Sequence, residues 1–197
     1  MMYSIVRSVA ILLFKIIFRI KVFGKKNIPK KGGFILVSNH ASYLDPVTLG
    51  VACPRKLNFM ARHDLFDIPI FSKLLTTLGA FPIKRNTADL SALKEALKRL
   101  KNGEVVVLFP EGSRRFDGIS DEPQPGIGFL STKADVPIIP SFIKGTDLAL
   151  PKGAKMIRPK KICVYFGQEI HIERRRPNNY QDIAMQIMHC VRHLTCT

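Results

Sequence analysis

GFILVSNHASYLDP, residues 33–46, decides the fold. Its first half, Gly33 to Asn39, is a short apolar run closing on polar residues, which reads as a buried strand. Its second half turns through His40 to Asp45, which reads as a helix N-cap with Pro46 at the first helical position, opening a helix through about Cys53. Outward from this unit the pattern repeats. KLNFMA (56–61) reads as a strand, residues 64–78 as a helix and FPIKR (81–85) as a short strand. Leu90, Leu93, Leu97 and Leu100 recur at helical spacing within 87–101, stopped by Asn102 and Gly103. EVVVLF (104–109) is the clearest buried strand, and a Gly/Pro-rich loop over 110–126 leads to a helix near 127–134. VPIIPSFI (136–143) and KICVYFG (161–167) read as strands, and residues 180–194 as a closing amphipathic helix. Strands alternating with helices predict an α/β fold with a largely parallel or mixed sheet flanked by helices.

The chain's 197 residues suit one domain, and 46% hydrophobic with 23% charged residues describes a packed core rather than disorder or low complexity. Thirty-one Lys+Arg against 15 Asp+Glu leave a net charge of +16, which points to an anionic partner: nucleic acid, a membrane surface or a phosphorylated ligand. Cys53, Cys163, Cys190 and Cys196 form no CxxC pair, so they read as reduced thiols rather than as a disulfide framework or a zinc site. His189, Cys190 and His193 read as a helix end, and no metal is expected.

MMYSIVRSVAILLFKIIFRIKVF, residues 1–23, is mostly apolar but interrupted by Arg7, Lys15, Arg19 and Lys21. It fits neither a spanning helix nor a signal peptide. At 100° per residue Ser4, Ser8, Lys15 and Arg19 gather on one side, and Ile5, Val9, Leu12, Leu13, Ile16 and Ile20 on the other. The first 44 residues carry eight cations and no acid. An amphipathic helix at a membrane interface is expected, although a first helix packed on the domain's own core has the same periodicity.

In α/β sheets ligands gather beyond the carboxyl ends of strands, and three such ends carry polar clusters. Asn39, His40 and Asp45 supply a histidine with a carboxylate in reach, the parts of a general base whose tautomer is fixed. Taken alone the same residues describe a helix cap beside a turn histidine. Lys84 and Arg85 follow FPI, and Glu111, Gly112, Ser113, Arg114 and Arg115 follow VVVLFP; arginines there suit a phosphate. The GxSxG elbow, the P-loop and the dinucleotide fingerprint are all absent.

NHASYLD, GAFPIKR, FPEGSR and VPIIP, in this order and spacing, resemble the four motif blocks of the lysophosphatidic acid acyltransferases within the glycerolipid acyltransferase superfamily. The resemblance covers roughly residues 33–168. It implies that His40 is the catalytic base and Asp45 the carboxylate that orients it. Gly79, Phe81 and Arg85 match the second block, with Arg85 on the acceptor's phosphate. Glu111, Gly112, Ser113 and Arg114 match the third, Ser113 standing where threonine is commonest, and Pro137 falls in the fourth, tied to the acyl or donor side. Gln124 stands where many relatives have lysine. The implied reaction moves a fatty acyl group from acyl-CoA or acyl carrier protein to the free hydroxyl of 1-acyl-glycerol-3-phosphate, with no metal or other cofactor. Residues 1–24 would be the membrane-associating helix and 25–197 the acyltransferase domain, monotopic on the cytoplasmic face.

A nucleic-acid partner would account for the charge, with residues 152–176 as its footprint, but no RNA- or DNA-binding motif is present and the HxxxxD loop would be left over. A noncatalytic membrane module and acyl transfer to another lyso-lipid are the remaining alternatives.

Overall fold

The computed structural model describes residues 2–84, 89–110, 122–151, 153–154, 156–172 and 179–194. Seven strands, β1 (Lys21–Phe23), β2 (Phe34–Ser38), β3 (Leu57–Arg62), β4 (Phe81–Ile83), β5 (Val105–Leu108), β6 (Ile138–Lys144) and β7 (Cys163–Phe166), form one sheet in the order β1-β7-β6-β2-β5-β3-β4. The pairs β2–β5, β2–β6, β3–β5, β3–β4 and β1–β7 are parallel, and β6–β7 is antiparallel, so the sheet is mixed. The helices are α1 (Met2–Phe18), α2 (Asp45–Ala52), α3 (Pro69–Thr77), α4 (Leu90–Lys101), α5 (Pro125–Ala134), α6 (Thr146–Ala149) and α7 (Tyr180–His193).

β2 is buried along its whole length and alternates between two core layers. Phe34 and Leu36 join Leu49 and Ala52 of α2 and Phe14 and Phe18 of α1. Ile35 and Val37 join Ala96 and Leu100 of α4, Ile127 and Leu130 of α5, and Ile187 and Val191 of α7. Crossover handedness explains the division. From β2 to β3 the chain steps one way across the sheet, and from β4 to β5 and β5 to β6 it steps back; right-handed crossovers therefore place α2 on one face and α4 and α5 on the other. The helices of the second face pack closely: a Cβ on Gly128 of α5 would lie 2.0 Å from the Tyr180 carbonyl oxygen at the start of α7, so only glycine fits.

Two expectations change, and one short helix is new. The first helix stops at Phe18, where Arg19 adopts φ 45°, and residues 21–23 join the sheet as edge strand β1 beside β7 instead of extending the helix. The helix expected over 64–78 divides into a 3₁₀ turn (His63–Phe66) and α3, because Pro69 holds Ile68 in extended backbone (φ −91°, ψ 111°). The short α6 had no periodic signal.

The first helix packs on the domain's own core along one side and keeps a second apolar side exposed. Ala10, Ile11, Phe14 and Phe18 pack on the core, with Phe14 and Phe18 edge to face at 4.8 Å. Arg7 donates from Nε to the Gly50 carbonyl (3.0 Å) and from Nη2 to that of Cys53 (2.6 Å), satisfying carbonyls that the end of α2 leaves open. On the outer side Ile5, Val9, Leu12, Leu13 and Ile16 stay exposed, Ile16 by 68%. Among the described residues no helix is long and apolar enough to cross a membrane.

Candidate active site

β2, β3, β4, β5 and β6 run parallel, so their carboxyl ends share one edge of the sheet. His40 lies two residues beyond β2 on that edge and is 8% exposed; Asp45 is fully buried. Their side chains meet: His40 Nδ1 is 2.9 Å from Asp45 Oδ2. The same oxygen accepts the backbone N–H groups of Ala41 and Ser42, both at 2.7 Å. Asp45 is therefore not the N-cap of α2, as the sequence had suggested. Leu44 occupies that position and Asp45 is the first helical residue, its carboxylate turned back into the preceding turn, where three donors converge on it. With Nδ1–H given to a carboxylate, Nε2 is left as the basic nitrogen of the ring.

One contact from another strand holds the imidazole, and a second holds the backbone just before it. The Phe109 ring, one residue past β5, stacks on His40 with centroids 4.2 Å apart and planes 23° apart. Asn39 continues the β2–β6 pairing with its side-chain amide: Nδ2 donates to the Ile143 carbonyl at 2.9 Å and Oδ1 accepts the Ile143 N–H at 2.7 Å. Ser42 Oγ donates to the Leu150 carbonyl at 2.8 Å and accepts the Leu44 N–H, closing the turn between them. Phe109 was not singled out from the sequence, although it closes the EVVVLF strand and opens the FPEGSR block.

The other expected site residues fare differently. Arg85, Glu111, Gly112, Ser113 and Arg114 lie outside the described residues. Their flanks do not: Lys84 follows β4 and Pro110 follows β5 on the same edge as His40. The Lys84 N–H donates to Asp89 Oδ2 at 2.8 Å, and the Gln124 N–H to the Pro110 carbonyl at 2.9 Å, so each segment springs from closely spaced anchors. The Lys84 N–H, then the Ser91 hydroxyl and the Ala92 N–H, lower the pKa of Asp89 to about 2, and Asp89 caps α4. Within the second block Gly79 and Phe81 are structural. Gly79 has φ 91°, and a Cβ there would meet the Leu57 carbonyl oxygen at 2.6 Å. Phe81 is buried under the Arg99 guanidinium, 4.7 Å from its ring centroid.

Pro137 is not brought to the dyad. It precedes β6, and its carbonyl accepts the Ile35 N–H at 3.0 Å near the amino end of β2. Five residue steps of extended chain lead from Ile35 to His40, about 16 Å. The order of the blocks along the chain does not reveal which end of a strand a residue occupies. Gln124 is the N-cap residue of α5. Among the described residues Cys53, Cys163 and Cys190 are free thiols, and burial pushes the Cys53 thiol up.

A parallel-rich α/β sheet with a buried carboxylate–imidazole pair at its carboxyl edge is an arrangement able to move a proton beside a ligand held at that edge. Comparison identifies the family. The Acyltransferase family matches residues 19–144, and the chain belongs to that family as an O-acyltransferase. It is 29% identical over 154 residues to the 1-acyl-sn-glycerol-3-phosphate acyltransferase of Bacillus subtilis, covering 77% of this chain and 74% of that one. It is 31% identical over 187 residues to the Streptococcus pneumoniae protein of the same name, covering 93% and 68%. A chloroplastic 1-acyl-sn-glycerol-3-phosphate acyltransferase of Arabidopsis thaliana is 31% identical over 158 residues, 78% of this chain but 44% of that longer one. The crystal structure of the 1-acyl-sn-glycerophosphate (LPA) acyltransferase of Thermotoga maritima superposes with a TM-score of 0.82 at 25% identity, covering 98% of this chain and 78% of that one.

Proposed function

We propose that this acyltransferase moves a fatty acyl group from a thioester, acyl-CoA or acyl carrier protein, to the free hydroxyl of 1-acyl-glycerol-3-phosphate, giving phosphatidic acid. The observation that carries the reading is the 2.9 Å contact between His40 Nδ1 and the buried Asp45 carboxylate, together with relatives named for this acceptor. His40 Nε2 takes the hydroxyl proton as the acceptor oxygen attacks the thioester carbonyl. The tetrahedral intermediate then collapses: the C–S bond breaks, and the imidazolium returns its proton to the departing thiolate. A thiol with a pKa near 8.5 leaves with little acid assistance, so no acyl-enzyme is needed. Asp45 holds the tautomer and stabilises the imidazolium. General-base action by His40 supplies about 10² to 10⁴ in rate.

Arg85 and Arg114, with Glu111, Gly112 and Ser113, are assigned to the acceptor's phosphate, and Pro137 to the acyl side at a distance from the dyad. The reading calls for no metal or other cofactor. The exposed side of α1 seats the enzyme on the cytoplasmic face of a phospholipid membrane, where acceptor and product reside, and no nucleic acid is involved. Arg114→Ala tests the phosphate assignment: KM for the acceptor should rise at least tenfold while KM for the thioester stays within twofold. An unchanged acceptor KM would remove Arg114 from the phosphate site.

A further inference from the structure

The carboxyl edge of the sheet is flanked by a second exposed apolar segment that the chemistry above does not use. Leu65 is 37% exposed, Ile68 60%, Ile70 86% and Leu74 41%. They belong to the 3₁₀ turn, the joint with α3, and α3 itself, where Ile70 and Leu74 are one turn apart on the same side. Exposed isoleucines on both sides of Pro69 are costly in water unless something covers them.

Topology says what lies beside this patch. The step from β3 to β4 runs across the sheet in the same direction as that from β2 to β3, so a right-handed crossover puts α3 on the face that carries α2, against which α1 packs. The exposed stripe of α1 and the α3 patch thus lie on one face, and Tyr43 (62% exposed) and Val47 (45%), at the start of α2, continue the apolar surface between them. Tyr43 is within electrostatic range of Arg62, which opens the 3₁₀ turn. The turn and α3 carry balanced charge, exposed Asp67 offsetting Lys73, and the cations that suit an anionic surface are those on and just after α1. Asp64 is ion-paired with Arg62 and Lys73 lies on α3, while Lys15 sits in the last turn of α1, Arg19 just beyond it and Lys21 at the start of β1.

We propose that the 3₁₀ turn and α3, through Leu65, Ile68, Ile70 and Leu74, are a second membrane-contact element that sits on the same anionic bilayer as α1 and holds the carboxyl edge, with His40, at the lipid surface. The proposal rests on the membrane reading of α1 and goes beyond it: two contacts on either side of α2 fix the tilt of the domain, whereas one helix leaves it free to rotate.

The chain contains no tryptophan, so a single introduced indole reports on its own position. Three full-length variants, Ile70→Trp, Leu13→Trp on α1 and Leu90→Trp, exposed on α4 of the opposite face, are mixed with phosphatidylglycerol/phosphatidylethanolamine vesicles carrying brominated acyl chains. Ile70→Trp and Leu13→Trp should shift to the blue and be quenched at least twofold, with Leu90→Trp unaffected. Quenching of Leu13→Trp without Ile70→Trp overturns the second contact and leaves α1 as the anchor. Quenching of neither overturns the membrane reading and this proposal with it. Equal quenching of all three means unspecific adsorption, and a blue shift of Ile70→Trp that grows with protein concentration in the absence of vesicles means a second copy covers the patch; each refutes the proposal. The double variant Ile68→Ser/Ile70→Ser, checked for an unchanged Tm, should lose at least tenfold in vesicle affinity while keeping its turnover of a short-chain acceptor below its micelle concentration. Vesicle affinity equal to the parent's would also overturn it.

Discussion

Asp45→Asn separates charge from geometry at the dyad. The amide oxygen fits the place of Oδ2 and there accepts the same three donors, His40 Nδ1–H and the N–H groups of Ala41 and Ser42. What disappears is the negative charge facing the imidazolium that forms during proton transfer. For charges about 4 Å apart at an effective dielectric of about 20 that attraction is about 4 kcal/mol, or about 10³ in rate. The amide nitrogen takes the place of Oδ1, which is buried without a hydrogen-bond partner among the described residues, so an unsatisfied donor adds about 1–3 kcal/mol of destabilisation. Steady-state thiol release in detergent micelles, with thermal unfolding alongside, measures both. The expected result is a kcat lower by about 10² to 10³, acceptor KM within twofold, and a Tm lower by several degrees in a folded protein. A folded Asp45→Asn enzyme that keeps more than about a tenth of the parent's kcat would show that the carboxylate's charge is not used, and the mechanism would lose its second member.

Gly128→Ala puts a Cβ 2.0 Å from the Tyr180 carbonyl and forces α5 and α7 apart; overpacking of about 1–3 kcal/mol should lower Tm by several degrees, and an unchanged Tm would contradict the close approach. Asp89→Ala removes the cap of α4 and should cost about 0.5–2 kcal/mol at neutral pH. The folded-state pKa of Asp89, about 2, lies below the unfolded value of 3.8, so its contribution is complete above about pH 4 and is lost as pH falls through 2. Denaturant titrations of parent and variant should therefore converge toward pH 2; a gap that persists there would contradict the capping account.

The dyad was legible because it is local. Asn39, His40 and Asp45 lie in one turn between a strand and a helix, and a few residues of spacing are enough to predict that the carboxylate reaches back. The restraints on His40 were not, because they are long-range: Asn39 finds Ile143, 104 residues away, and Phe109 arrives from β5. β2, β5 and β6 were visible as unbroken apolar runs, whereas β1 has three residues at the sheet edge, two of them exposed, too few to show a period. The first helix was read as having one apolar face because a single moment describes one direction; Phe14 and Phe18 occupy a second, which only packing reveals. Asp45 looked like a cap because aspartate before proline usually is one, and its carboxylate was instead claimed by donors upstream. Pro137 came from the fourth motif block, tied to the acyl or donor side, and only the sheet register shows that it lies at the amino end of β2, away from His40.

The most direct test of the central claim is thiol release from acyl-CoA, with and without 1-acyl-glycerol-3-phosphate, by the parent and by His40→Ala, with the lipid product analysed and the acyl carrier protein thioester run as a second donor. The account predicts release that requires the acceptor, yields phosphatidic acid, and falls at least a hundredfold in a folded His40→Ala enzyme. Undiminished turnover by His40→Ala, or no turnover of this acceptor with either donor, would contradict it.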